Sequence, residues 1–170
     1  MKLSGGVEWA LHCFVVLTTA REPVSAARLA ELHDVSGSYL AKQLQALSRA
    51  GLVISVQGKG GGYVLTRAPE LITVLDVVAA VDSSKPAFVC TEIRQRGPLA
   101  TPQEACMRPC AIARAMAGAD AAWRAALQAI SIADLARSVD EDYGRTALAG
   151  IRTWLTTPDG QINVAGRVLR

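Results

Sequence analysis

Apolar positions fill residues 6–20, GVEWALHCFVVLTTA, and only Glu8 and His12 interrupt the run before Arg21-Glu22-Pro23 ends it. The stretch predicts one helix. Ser25 can cap a second, short helix, SAARLAELHD, whose Ala26, Leu29, Ala30 and Leu32 recur at helical spacing. Ser36 can cap a third, GSYLAKQLQALSRA, with Leu40, Leu44 and Leu47 as its buried stripe and Gly51 where a terminating glycine belongs. The period then changes. Leu52, Ile54 and Val56 alternate as in a strand, Gln57 to Gly62 form a turn, and Tyr63 to Thr66 return as a second strand. Pro69 breaks the chain. Thr73 with Asp76 makes a capping box for a helix over 73–82. Residues 83–109, with Pro86, Pro98, Pro102 and Pro109, read as a long loop, and a loop of that length is commonly functional. Pro109 suits the first turn of a long helix over 110–130, where Ala113, Ala117, Gly118 and Ala121 permit close helix packing. A short helix near 132–138, one around Trp154 and a frayed tail complete the pattern.

Three helices followed by a two-stranded hairpin is the winged helix-turn-helix plan. The expected fold class is mainly α with a small β-hairpin wing: a winged helix-turn-helix plus a long helix. The expected units are residues 1–82 for DNA binding, 83–109 as a loop, 110–138 around the long helix, and 139–170 as a C-terminal extension. The third helix offers Ser36, Ser38, Tyr39, Lys42 and Gln43 to phosphates or base edges. The wing offers Lys59 at a tip of little bulk, flanked by Gly60, Gly61 and Tyr63, where backbone can approach a phosphate or a minor groove. The same elements also occur as plain packing units and tight turns.

Composition adds little to this. The 170 residues are 51% hydrophobic and 19% charged, enough for a real core and against general disorder. A net charge of +3 is a weak pointer to an anionic partner. The start of the chain is a poor export signal, because Glu8 and His12 interrupt its apolar run. No segment has the uninterrupted apolar length of a membrane span. The expected location is the cytoplasm, with no membrane partner. There, the four cysteines, Cys13, Cys90, Cys106 and Cys110, read as metal ligands or redox sensors rather than structural disulfides.

The run from Ser36 to Asp82 resembles the Rrf2 family of bacterial winged-helix regulators. The matching features are SYL at the recognition helix, the L-x-x-AGLV hinge, the GKGGGY wing and the ITVLDVVAAV helix. The resemblance extends over about residues 1–138. It implies a homodimer held by the long helix and an inverted-repeat operator in double-stranded DNA. Cluster-binding members carry three closely spaced cysteines in the loop before that helix. Cys90 and Cys110 match the outer two positions, but nothing sits midway between Cys90 and Cys106. Some members take a carboxylate ligand from the first helix across the dimer, and Glu8 matches that position. Glu8 and His12, four residues apart, share a helix face.

The resemblance therefore implies a [2Fe–2S] cluster on Cys90, Cys110, Glu8 and His12, with ligands from both subunits, closest to the family's redox-sensing members. Histidine ligation raises the potential of such a cluster and ties it to protonation. Trp9, beside both first-helix ligands, becomes a candidate redox relay. Cys13 reads as a core residue. Cys106 stays open as a spare ligand, a reactive thiol or a bystander.

Other classes remain. Glu8 and His12 also make an ordinary helix-surface pair. A cluster-free regulator would work through thiol oxidation, with Cys106-dependent disulfides, or through a protein partner. Two cysteines, a histidine and a carboxylate also suit a zinc-stabilised interaction module. An enzyme is disfavoured: the chain has no phosphate-cradling GxxxxGK[ST] and no nucleophile elbow.

Overall fold

The computed structural model describes residues 3–82, 88–144 and 146–157. Pro86 and the expected frayed tail beyond residue 157 lie outside the described residues. The order is α1 (Gly5–Thr19), α2 (Ala26–Leu32), α3 (Gly37–Arg49), β1 (Val53–Val56), β2 (Gly62–Leu65), α4 (Val74–Asp82), α5 (Ala111–Gln128), α6 (Ile132–Tyr143) and α7 (Ala147–Thr156). The fold is mainly helical with one antiparallel hairpin, as the hydrophobic pattern implied.

α1 is the hub, packed against α3, α4, α6, α7 and β2. A helix that is apolar nearly all round must be covered nearly all round. Val7, Ala10, Cys13, Phe14, Val16 and Leu17 are buried accordingly. What α1 leaves exposed is one stripe: Gly5, Glu8 and His12. The core joins Phe14 to Leu29 of α2, Leu40, Leu44 and Leu47 of α3, Val53, Ile72, Val77 and Ile132. Ile132 ties the chain beyond α5 into that same core. Its N–H donates to the Ile72 carbonyl at 2.8 Å, and the Val74 N–H donates to the Ile130 carbonyl at 2.9 Å. α6 begins with a reciprocal capping box, Ser131 with Asp134.

Several local expectations hold. Ser25 accepts the Arg28 N–H at 3.2 Å. Thr73 and Asp76 cap reciprocally, at 2.9 and 3.1 Å. Gly51 ends α3 at φ +70°, a conformation that favours glycine. Three local expectations need correction. Ser36 makes no capping bond; its hydroxyl pairs with that of Ser38 at 2.8 Å. Pro109 lies before α5 rather than in its first turn, because Cys110 is the N-cap and its sulfur accepts the Ala113 N–H at 3.3 Å. Over residues 52–56 the buried pair is Leu52, just before β1, and Val53, while Ile54 and Val56 are exposed. β2 is half-covered along its length, whereas β1 is buried only at Val53.

α5 carries no fully buried residue. Its Trp123 and Leu127 pack on Val7, Val74 and Val78. On the same helix face, nearer the start of α5, Ile112 is 64% and Met116 40% exposed.

Candidate cluster loop and nucleic-acid face

α3 presents one outward stripe. Ser38, Lys42, Gln45 and Arg49 are exposed, opposite the buried Leu40, Leu44 and Leu47. Gln45 and Arg49 were not singled out from sequence, although the leucine stripe defines the face opposite. Gln43 is corrected: it is only 7% exposed and does not face outward. Its side-chain amide lies over Gly6 of α1, where an added Cβ would come within 2.7 Å of it. Tyr39, one turn earlier, is exposed, with its hydroxyl beside Gly5. The Gly5-Gly6 pair thus lets the first turn of α1 sit against α3. The Ser4 N–H donates to the Asp82 carboxylate at 2.7 Å, tying the same turn to α4.

In the wing, Lys59 is exposed between Gly58 (φ +104°) and Gly60 (φ +84°). Gly61 has an internal role: a Cβ there would overlap the Val56 carbonyl and come within 2.8 Å of the Gly58 carbonyl. At Gly62 a Cβ would strike the Val24 backbone. Tyr63 is half-buried against the core, and its backbone bridges Val24 in both directions, at 2.8 and 3.1 Å.

The loop before α5 is folded around one side chain. Arg94 donates from Nε to the Glu92 carboxylate at 2.8 Å and from Nη2 to the Arg108 carbonyl at 2.7 Å, with a longer contact to the Cys106 carbonyl at 3.5 Å. The Thr101 N–H donates to the Arg94 carbonyl at 2.8 Å. Glu92 adopts φ +51°, uncommon for a residue with a Cβ. These bonds bring the sulfurs of Cys90 and Cys110 to 3.9 Å. The two thiols differ in acidity. The Ala113 N–H aimed at Cys110 Sγ outweighs the effect of burial and lowers its pKa. At Cys90 the Glu92 backbone contact pulls the pKa down, but burial and the neighbouring Cys110 together leave it raised. Cys13 is buried, which pushes its thiol to about 12. It is a small core hydrophobe, as expected.

The sulfur spacing fits metal binding. Two thiolates about 2.3 Å from one tetrahedral metal lie about 3.8 Å apart, and the observed separation is 3.9 Å. Soft sulfur donors suit iron–sulfur clusters and zinc alike. Among the described residues, no three His, Cys, Asp or Glu side chains of one chain are placed to hold a metal. The cysteine pair and the exposed Glu8 and His12 therefore remain two separate half-sets within one chain.

The structure also gathers residues that spacing along the chain could not. His12 and His33 meet at an interplanar tilt of 58° with ring centroids 5.6 Å apart, and Trp9 lies 6.5 Å from His12 and 6.1 Å from His33. Burial, and then the nearby His12, lower the His33 pKa. Among the described residues no helix is long and apolar enough to cross a membrane.

Comparison with known proteins agrees with this architecture. In fold, the chain is similar to the cysteine regulator CymR of B. subtilis, with a TM-score of 0.65 and 24% identity over 81% of this chain and 98% of that one. It is also similar to IscR of T. potens, with a TM-score of 0.64 and 24% identity over 84% of this chain and 90% of that one. In sequence it is 40% identical to the HTH-type transcriptional regulator IscR of Aliivibrio salmonicida, over 53% of this chain and 55% of that protein. It is 42% identical to the IscR of Erwinia tasmaniensis, over 45% of this chain and 46% of that protein. The chain thus spans about half the length of these sequence relatives. These relatives are transcriptional regulators rather than enzymes. The family described as Rrf2, iron-dependent transcriptional regulator, matches residues 3–138, and this chain belongs to it.

Proposed function

We propose that this chain is a homodimeric, DNA-binding transcriptional repressor that senses redox state through a [2Fe–2S] cluster at the subunit interface. The observation that carries the reading is the Cys90–Cys110 sulfur pair at 3.9 Å, held by a loop that leads into the exposed face of α5. Residues 1–82 form the DNA-binding unit, 83–109 the cluster loop, 110–138 the dimerisation region and 139–170 an extension. α5 from two copies meets across its exposed Ile112 and Met116, giving the two-fold symmetry that an inverted-repeat operator requires. Glu8 and His12 occupy the exposed stripe of α1 and complete the ligand set of the partner's cysteines. When bound, such a cluster supplies a one-electron couple.

The chain's own residues relay that change. Glu8 and His12 stand one and two turns beyond the Gly5-Gly6 contact with Tyr39 and Gln43 of α3. A force on the ligand stripe therefore acts on the recognition helix through direct packing. Trp9, beside both His12 and His33, is the candidate relay residue. Ser38, Tyr39, Lys42 and the wing's Lys59 and Gly60 make the DNA contacts, joined by Gln45 and Arg49. Ser36 supports the start of α3. The protein works in the cytoplasm, where its thiols stay reduced.

The test is an iron and acid-labile sulfide assay on anaerobically purified protein, with visible spectra before and after dithionite. Equal iron and sulfide with reversible bleaching is expected. Operator binding is then measured for both redox states at one salt concentration. Equal affinity in the two states rules out the switch. Zinc without sulfide would replace it with the zinc-stabilised module, which the same sulfur spacing also fits.

A further inference from the structure

We propose that Cys90 and Cys110 form an intramolecular disulfide in the metal-free chain, so that the two sulfurs serve either as ligands or as a thiol switch. The disulfide chemistry stands by itself; its consequence for metal loading rests on the cluster reading above. Sequence spacing favours Cys106 as the partner of Cys110, four residues away. The folded loop reverses that choice. Cys106 ends a short 3₁₀ turn, Gln103–Ala105, and its backbone N–H is committed to the Gln103 carbonyl at 2.9 Å. The sulfur that faces Cys110 is that of Cys90, twenty residues back, at 3.9 Å. A disulfide needs an S–S length of about 2.05 Å. The remaining approach asks for rotation at Cys90, which lies outside any helix or strand and is only partly buried. Cys110 is held at the N-terminus of α5 by the Ala113 N–H. Its sulfur therefore keeps one position while Cys90 moves to it.

The oxidant is a peroxide. The Cys110 sulfur attacks one peroxide oxygen and the O–O bond breaks. This gives a Cys110 sulfenic acid and, after uptake of the thiol proton, water. The Cys90 sulfur then attacks Cys110 Sγ. An S–S bond forms, the S–O bond breaks, and the hydroxyl leaves with the Cys90 proton as a second water. In sum, two thiols and one hydrogen peroxide give one disulfide and two waters. The sulfurs lose the two electrons that the peroxide gains. The disulfide occupies both thiolates, so metal loading and cross-linking exclude each other until a thiol reductant opens the bond.

The experiment uses the full chain, stripped of metal by a chelator under reductant, desalted anaerobically and treated with equimolar hydrogen peroxide. Intact mass should fall by two hydrogens, and non-reducing peptide mapping should link Cys90 to Cys110. Trypsin leaves Cys106 and Cys110 on one peptide, because Arg108 precedes Pro109. The Cys106→Ser variant therefore carries the assignment, and it should cross-link like the parent. Cys110→Ser should not, while its hydroxyl still caps α5 and its circular dichroism matches the parent. The oxidised chain should refuse iron and sulfide until dithiothreitol is added. A link through Cys106, a link between two chains, or a Cys110 sulfinate without any link overturns the proposal. A chain that cross-links but never takes up iron when reduced sinks the cluster reading and leaves this one standing. A chain that loads iron but never cross-links does the reverse.

Discussion

Cys110 combines two local roles. It caps α5 by accepting the Ala113 N–H, and it faces Cys90 across the loop. The N–H contact favours the thiolate, so alkylation of Cys110 should begin at a pH below the ordinary thiol range of about 8.5. Cys90, with its pKa raised, should follow at higher pH. Cys13, near 12 and buried, should stay unlabelled until the chain unfolds. Iodoacetamide rates read by mass spectrometry at a series of pH values check the order; equal rates at Cys110 and Cys90 would contradict it. Arg94 is the corresponding positioning residue. Its guanidinium joins Glu92 to the Arg108 carbonyl and so sets where the two cysteines end. If the proposed cluster sits on Cys90 and Cys110, Arg94→Ala should weaken iron binding by about 10–100-fold, the effect usual when a residue that orients metal ligands is lost. Lysine, which lacks the fork, should not restore it. Chelator competition on the reduced chain measures both variants.

At the scale of an element, α6 shows how a helix start couples to pH. Ser131 and Asp134 satisfy each other's backbone donors at 3.0 and 3.1 Å. Ser131→Ala should cost about 1 kcal/mol in urea unfolding. The Ser131 hydroxyl and then its backbone N–H hold the Asp134 carboxyl below its usual range. A carboxyl with a depressed folded pKa contributes stability that is present above its unfolded value, about 3.9. That contribution fades as pH falls through the lower folded value. Asp134→Asn should therefore flatten the acid limb of stability below about pH 4 and leave the slope at neutral pH unchanged. The wing makes a different point. Its glycine run looked like room for DNA, yet Gly61 and Gly62 are spent on contacts within the fold, with Val56 and Val24. Gly58, Lys59 and Gly60 remain as an open tip.

Over the whole molecule, α7 returns to the helix-turn-helix. Arg28 of α2 donates to the carbonyls of Trp154 at 2.6 Å and Thr157 at 2.9 Å, and its guanidinium lies 3.6 Å from the centroid of the Trp154 ring. The side chain is 18% exposed, so these contacts are partly shielded from water. Arg28→Ala should cost on the order of 1–3 kcal/mol, from the lost stacking and two uncapped carbonyls. Thermal unfolding should show a single lowered transition, because α7, α6 and α1 share one core. Two resolved transitions would show that the C-terminal segment folds by itself.

The sequence by itself determined what depends on local spacing. Period 3.6 at Leu40, Leu44 and Leu47 gave α3, and the glycine-interrupted alternation after Leu52 gave the hairpin. Thr73 with Asp76 gave the start of α4. Each is legible because the interacting groups lie within a few residues of one another. The motifs GKGGGY and ITVLDVVAAV carried the family for the same reason. Pairings across distance were decided only by the tertiary structure. That Gln43 turns inward depends on Gly6, thirty-seven residues earlier, having no side chain. That Cys110 faces Cys90 rather than Cys106 depends on Arg94 reaching carbonyls across the loop. That His12 meets His33, and Arg28 meets Trp154, depends on the way α1 gathers α3, α4, α6 and α7 around its apolar surface. Burial and hydrogen-bond satisfaction act on the folded whole, and no window along the chain contains both partners of such a contact.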